Sequence, residues 1–141
     1  MHDDIVLDQI RGDAIAEAWP HLEPWFISAC RSVSTSLTPE LILYRATSRQ
    51  YDLWAIYSKH RPLPLLGAAA TALREVKGET VACIEAIAGR DADMWMQTAL
   101  DEYETLARKN GVARIEIEGR MAWQRKLPDY KPVRIVMEKV L

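Results

Sequence analysis

The fold turns on Thr80-Val81-Ala82-Cys83-Ile84-Glu85-Ala86-Ile87-Ala88 and on the residues beyond it as far as Ile117. Thr80 to Ala88 is apolar except at Glu85 and reads as a buried strand. From Ala92 the period changes. Ala92, Trp95, Met96, Ala99, Leu100, Tyr103, Leu106 and Ala107 form one stripe at helical spacing. Arg108 and Lys109 complement the helix dipole, and Gly111 supplies a left-handed cap. Val112 to Ile117 then alternates Ala113, Ile115 and Ile117 with Arg114, Glu116 and Glu118, the pattern of a half-exposed strand. Two strands joined by a helical crossover of about 20 residues predict a parallel pair.

Working outward toward the N-terminus, Lys77-Gly78 predicts a hairpin turn into the small-apolar run Leu65 to Leu73, and Leu53 to Tyr57 predicts a further strand. These three strands make an antiparallel meander. Thr38-Pro39-Glu40 is a helix start, with a hydroxyl N-cap, proline at the first helical position and an acid in the first turn. That helix is expected to end near Ser48. Before it, Asp13 opens a helical stretch through Ile15, Ala18, Trp19, Leu22, Phe26 and Ala29, which Pro20 and Pro24 should kink or split in two. Ile5 to Gln9 is a short first strand. On the C-terminal side, a short helix over Gly119 to Leu127 and a closing strand over Val133 to Leu141 are expected. The whole is one α/β domain over residues 1–141: a mixed sheet, an antiparallel meander plus a parallel fourth and fifth strand pair, flanked by helices.

The 141 residues carry 18 Lys plus Arg against 20 Asp plus Glu, a formal net charge of −2 that supplies no pull toward nucleic acid or an anionic membrane. With 49% hydrophobic and 27% charged residues the chain has material for a core and is not disordered. The acidic start and the lack of a long apolar run predict a cytoplasmic protein. Cys30 and Cys83 are far apart and the three histidines are scattered, so no metal site is expected. Five Trp and five Tyr stand against one Phe. Most fall on the buried stripes as core residues; Trp25, Tyr51 and Tyr130 fit least well. Residues 119–141 hold six basic and two acidic residues, while the first thirty hold six acids and one Arg, a polarity that reads as a solvated face or a surface for an acidic partner.

The order of elements resembles the GNAT superfamily of acyl-CoA-dependent N-acyltransferases over nearly the whole chain. The wording that carries the likeness is Leu66-Gly67-Ala68-Ala69, Ile84-Glu85-Ala86-Ile87-Ala88-Gly89, Trp95, Lys109-Asn110-Gly111-Val112 and Gly119-Arg120-Met121-Ala122-Trp123-Gln124-Arg125-Lys126-Leu127. It is similar in particular to small GNAT-like proteins of tailed bacteriophages, which would place it in host cytoplasm or a virion. The resemblance implies acetyl-CoA or another acyl-CoA as cosubstrate, its arm paired to the exposed edge of the fourth strand and its pyrophosphate at the N-terminus of the next helix. On this chain those positions are Ala86, Ile87, Ala88, Gly89, Arg90 and Ala92. A loop of the form Gln/Arg-x-x-Gly-x-Gly/Ala is expected there; Gly89-Arg90-Asp91-Ala92-Asp93-Met94 lacks the two later glycines, so the loop is degenerate. Asp91 and Asp93 are expected to cap the helix themselves. A carboxylate about 4 Å from a phosphate charge costs roughly 4 kcal/mol at an effective dielectric near 20.

Glu85 is the candidate catalytic residue. A carboxylate in a buried strand has a raised pKa and suits taking a proton from an amine, and the resemblance adds that several GNAT enzymes use a glutamate on this strand. Alternation puts Glu85 on a face with Val81, Cys83 and Ile87. The competing readings leave this face partly solvated, or pair Glu85 with an arginine such as Arg74 on the neighbouring strand. Where the resemblance implies an acidic tyrosine on the short helix, this chain has Gln124, which cannot donate as an acid; Tyr130 is the alternative, or else a turn aromatic over Pro128 and Pro132. Arg120 is a second cation near the cleft or a partner of Glu116 or Glu118. The acceptor implied is a small-molecule or protein amine. The alternative function is a non-catalytic phage accessory or virion-associated protein, with a protein partner or a second copy of itself.

Overall fold

Lys77 and Gly78 both adopt positive φ, 52° and 82°, the backbone a two-residue hairpin demands. In this computed structural model, which describes residues 4–32, 36–118, 127–134 and 137–141, that turn joins β3 (Gly67–Val76) to β4 (Glu79–Gly89). The other elements are β1 (Ile5–Ile10), α1 (Ala14–Ser32), α2 (Pro39–Thr47), β2 (Asp52–Ser58), α3 (Ala92–Lys109) and β5 (Val112–Ile117). They form a five-stranded sheet in the order β1-β2-β3-β4-β5. Its first three pairings are antiparallel, and β4 lies parallel to β5, as the crossover requires.

Helices cover both faces. Leu22, Phe26 and Ala29 of α1 and Ile42 and Ala46 of α2 pack on Leu53, Ala55, Ala68, Ala70, Ala72 and Ala86. The alanines of β3 let these helices approach the strands closely. Trp95, Met96, Ala99, Leu100 and Tyr103 of α3 pack on Trp54, Ile56, Ala69, Ala82 and Ile84 of the other face. Trp19 stacks on Phe26 with ring centroids 5.7 Å apart, and Trp54 meets Tyr103 edge-on at 5.5 Å. Trp25, Tyr51 and Tyr130 are none of them exposed.

Two expectations change. The helix α1 runs unbroken through Pro20 and Pro24. Both prolines face solvent while Leu22 and Phe26 are fully buried, so burial outweighs the lost backbone bonds. The closing strand does not form among the described residues of 133–141: Val133, Met137, Val140 and Leu141 are exposed, and Arg134 reaches β5 by its side chain, donating to Glu116 at 2.8 Å. Side chains that stay exposed lack the packing that makes a strand. The expected short helix falls on residues 119–126, outside the described residues; Leu127, next in the chain, is buried in the α3-side core. The second helix matches closely, with Thr38 accepting from the Leu41 amide at 3.1 Å. Among the described residues no helix is long and apolar enough to cross a membrane.

Candidate active site at the fork of β4 and β5

The strands β4 and β5 part at Ile84. Ile84 opposite Ile117 is their last pair, and the Glu118 amide closes it, donating to the Ile84 carbonyl at 3.3 Å. β4 continues through Gly89, so the β5-facing edge of Glu85 to Gly89 has no partner on β5. On the β3 side the register also breaks here: Ala70 pairs with Ala86 and Thr71 with Ile84. Glu85 is therefore the extra residue of a β-bulge, placed at the mouth of the fork.

The bulge redistributes the side chains. Val81 and Cys83 sit opposite Arg74 and Ala72, on the face covered by α1 and α2, and Glu85 joins them by pairing with Arg74. Ile87, expected on that face, instead packs into the α3-side core, because the inserted residue shifts the alternation by one.

Glu85 is only 8% exposed, whereas the Arg74 side chain is 56% exposed. Arg74 Nη2 donates to Glu85 Oε1 in a close ion pair. Desolvation raises the Glu85 pKa, with Glu118 adding to the rise; Arg74 and, more weakly, Arg45 oppose it, and the net direction is upward. Glu85 in turn holds the Arg74 pKa up. Arg45 lies behind the pair, donating to the Tyr51 hydroxyl at 2.8 Å with its guanidinium 5.4 Å from that ring's centroid. Burial pushes the neighbouring Cys83 thiol up.

At the far end of the edge, Gly67 and Gly89 make room for Trp95. A Cβ on Gly67 would lie 2.6 Å from the Ala88 carbonyl oxygen and 2.9 Å from the Trp95 ring. The Arg90 amide donates to Leu66 at 2.9 Å and its carbonyl accepts from Trp95 Nε1 at 2.8 Å, so its backbone is anchored while its side chain is exposed. Asp91 takes the N-cap position of α3 in a left-handed conformation, φ 53° and ψ 42°, and its side chain makes no cap bond. The expectation that its carboxylate bonds the helix amides is thus corrected: its backbone is left-handed rather than the extended one from which N-cap side chains bond those amides. Ala92 and Asp93 lie in the first turn.

Tyr130 packs on the α3 side of the sheet. Its hydroxyl donates to Glu104 of α3 at 2.9 Å, and burial and that carboxylate push its pKa well up. Trp123, Gln124 and Arg120 lie outside the described residues; Glu116 pairs with Arg114 and Arg134. Among the described residues no group of His, Cys, Asp and Glu is arranged to hold a metal ion. A groove of about 810 Å³ between α1 and α2, lined by Trp19, Leu43 and Tyr44 among others, includes none of the residues from Glu85 to Ala92.

No protein-family model and no curated protein matches the sequence. Solved structures do match the fold. A probable acetyltransferase superposes with a TM-score of 0.70 at 13% identity, over 97% of this chain and 95% of the other. This is the GNAT acetyltransferase fold. An aminoglycoside acetyltransferase from a soil metagenome, crystallised with sisomicin, gives 0.68 at 8% identity over 99% and 97% of the two chains. A GNAT family acetyltransferase of Staphylococcus aureus gives 0.64 at 11% identity over 98% and 99%. The GNAT likeness of the sequence is thus met at the level of fold.

Arg45, Tyr51 and the bulge escape sequence reasoning. Tyr51 carries the one signal, as an aromatic off the core stripes; nothing in Ile84-Glu85-Ala86 marks a bulge, since either register buries apolar side chains.

Proposed function

We propose that this chain is a single GNAT-like domain over residues 1–141 that transfers an acyl group from acyl-CoA to an amine. The observation that carries the reading is the coincidence at Glu85 of a buried carboxylate, a β-bulge and the mouth of the β4–β5 fork. The residues fit an acyl-CoA. The edge of Ala86, Ile87, Ala88 and Gly89, which has no partner on β5, offers backbone groups to the amides of a pantetheine arm, and Arg90 and the first turn from Ala92 offer positive charge to its phosphates. The carboxylates of Asp91 and Asp93 lower that affinity, so the phosphate loop is degenerate but usable.

Acyl-CoA supplies the activated acyl carbon: the amine nitrogen forms the new C–N bond as the C–S bond breaks, and the sulfur leaves with one of the amine's protons. Glu85 takes the other proton from the incoming ammonium, which its raised pKa equips it to do near neutral pH. Arg74 holds Glu85 in place before the acceptor arrives.

A second reading, a non-catalytic accessory protein that keeps the fold, draws on Asp91 and Asp93 at the helix start. Calorimetry with acetyl-CoA, desulfo-CoA and ADP separates the two. The transferase reading expects acetyl-CoA to bind and Arg90→Ala to weaken it; no binding at millimolar ligand overturns that reading, and unchanged binding by Arg90→Ala removes Arg90 from the phosphate site.

A further inference from the structure

Resting on the acyltransfer reading, the geometry points to an acceptor that carries a carboxylate beside its amine, an α-amino acid or a compound of that zwitterionic class, selected jointly by Arg74 and Glu85. Any amine that reaches Glu85 competes with the guanidinium already bonded to Oε1, since both are cations drawn to one buried carboxylate. A plain amine does so at a loss: it leaves Arg74 beside a new positive charge, with Arg45 a third on the same face. A zwitterion replaces both halves of the pair. Its ammonium is held by Glu85, and its carboxylate takes the fork of Arg74, whose half-exposed side chain is free to swing outward while Glu85 stays fixed on the bulge. The charge at the site is then the same before and after binding. Arg45, tied to Tyr51, adds positive potential for the acceptor carboxylate, and Glu118 keeps the surroundings from becoming strongly cationic.

The pair therefore discriminates by what it leaves unpaired. An amide or a decarboxylated analogue offers Arg74 nothing in exchange for Glu85, and a site built around a polar partner rejects the analogue that lacks it.

The test uses the full chain and matched series: alanine, phenylalanine and lysine, each with its amide and its decarboxylated amine. CoA release is measured with acetyl-CoA, and calorimetry measures binding of each compound without it. The expected result is a kcat/KM at least about tenfold higher for one or more of the free amino acids than for its two analogues, matched in binding. In Arg74→Ala the preference falls to about threefold or less; Arg74→Lys, which keeps the charge but not the fork, lies between and serves if the alanine variant does not fold. Equal turnover of acid, amide and amine overturns the zwitterion site and leaves the acyltransfer reading standing. Absence of CoA release with every compound overturns the acyltransfer reading; the amino acids binding selectively all the same, and losing that selectivity in the Arg74 variants, retains the zwitterion site, while unselective binding or none overturns it as well.

Discussion

A carboxylate held almost out of water against one guanidinium is under two opposed pressures, and at Glu85 burial wins. The consequence for catalysis is direct. Glu85→Gln keeps the size and the hydrogen-bonding capacity but cannot accept the proton, so kcat is expected to fall about a hundredfold or more while the calorimetric affinity for acetyl-CoA stays the same. The consequence for stability has a definite sign. The folded state binds the Glu85 proton more tightly than the unfolded chain does, so the contribution of Glu85 is favourable at low pH and is lost as pH rises from about 4.5, the ordinary carboxyl value, through the raised folded one. Urea unfolding of the wild type and of Glu85→Gln across pH 4.5 to 7.5 should show the wild type losing stability relative to the variant as pH rises. A difference that grows the other way would mean that Arg74 dominates. Much of this residue was legible in the sequence: a lone acid in an apolar strand, and Arg74 as its partner. Its facing was not, because a bulge has no sequence mark when both registers bury apolar neighbours, and Ile87 therefore changed sides.

Where β4 hands over to α3, conformation and charge act on the same residue. Asp91 holds a left-handed backbone without the side-chain cap that would reward it. Asp91→Gly removes a strain of about 1 kcal/mol and a carboxylate from beside the helix amides. ADP should bind this variant about tenfold or more tightly, read by calorimetry, and Asp91→Asn should share the gain, since charge rather than strain limits the affinity. If only the glycine variant gains, backbone geometry is the limit instead. The opposite exchange is costly two residues earlier. An added methyl at Gly89 would meet the Trp95 ring and the Gly67 backbone, so Gly89→Ala is expected to lose about 3 kcal/mol in urea unfolding. At this scale the sequence was most readable where an element carries its own ends: Thr38 and Pro39 start α2, and Gly111, with φ 74°, stands just past α3. It was least readable where tertiary contact decides. The prolines of α1 are overruled by Leu22 and Phe26 beneath them, and Val133, Met137, Val140 and Leu141 stay exposed with no strand formed at the described residues around them.

Across the molecule, the sheet lies between two apolar cores among the described residues. Phe26, Leu22 and Ile42 lie on one side and Trp95, Met96 and Leu100 on the other, and alternate residues of the same strands, Ala68, Ala70 and Ala72 against Ala69, serve each. Neither layer of helices can leave without exposing a strand that the other layer also needs. Unfolding is therefore expected to be one transition, seen at the same urea concentration by circular dichroism and by tryptophan fluorescence. The stronger check perturbs one face and reads the other. Phe26→Ala should cost about 3–5 kcal/mol, and if the sheet couples the cores, amide exchange in α3 should speed up as much as in α1. Protection of α3 that survives Phe26→Ala would show two units that open independently, and would place the fork, whose edge leads straight into α3, on the more stable of them.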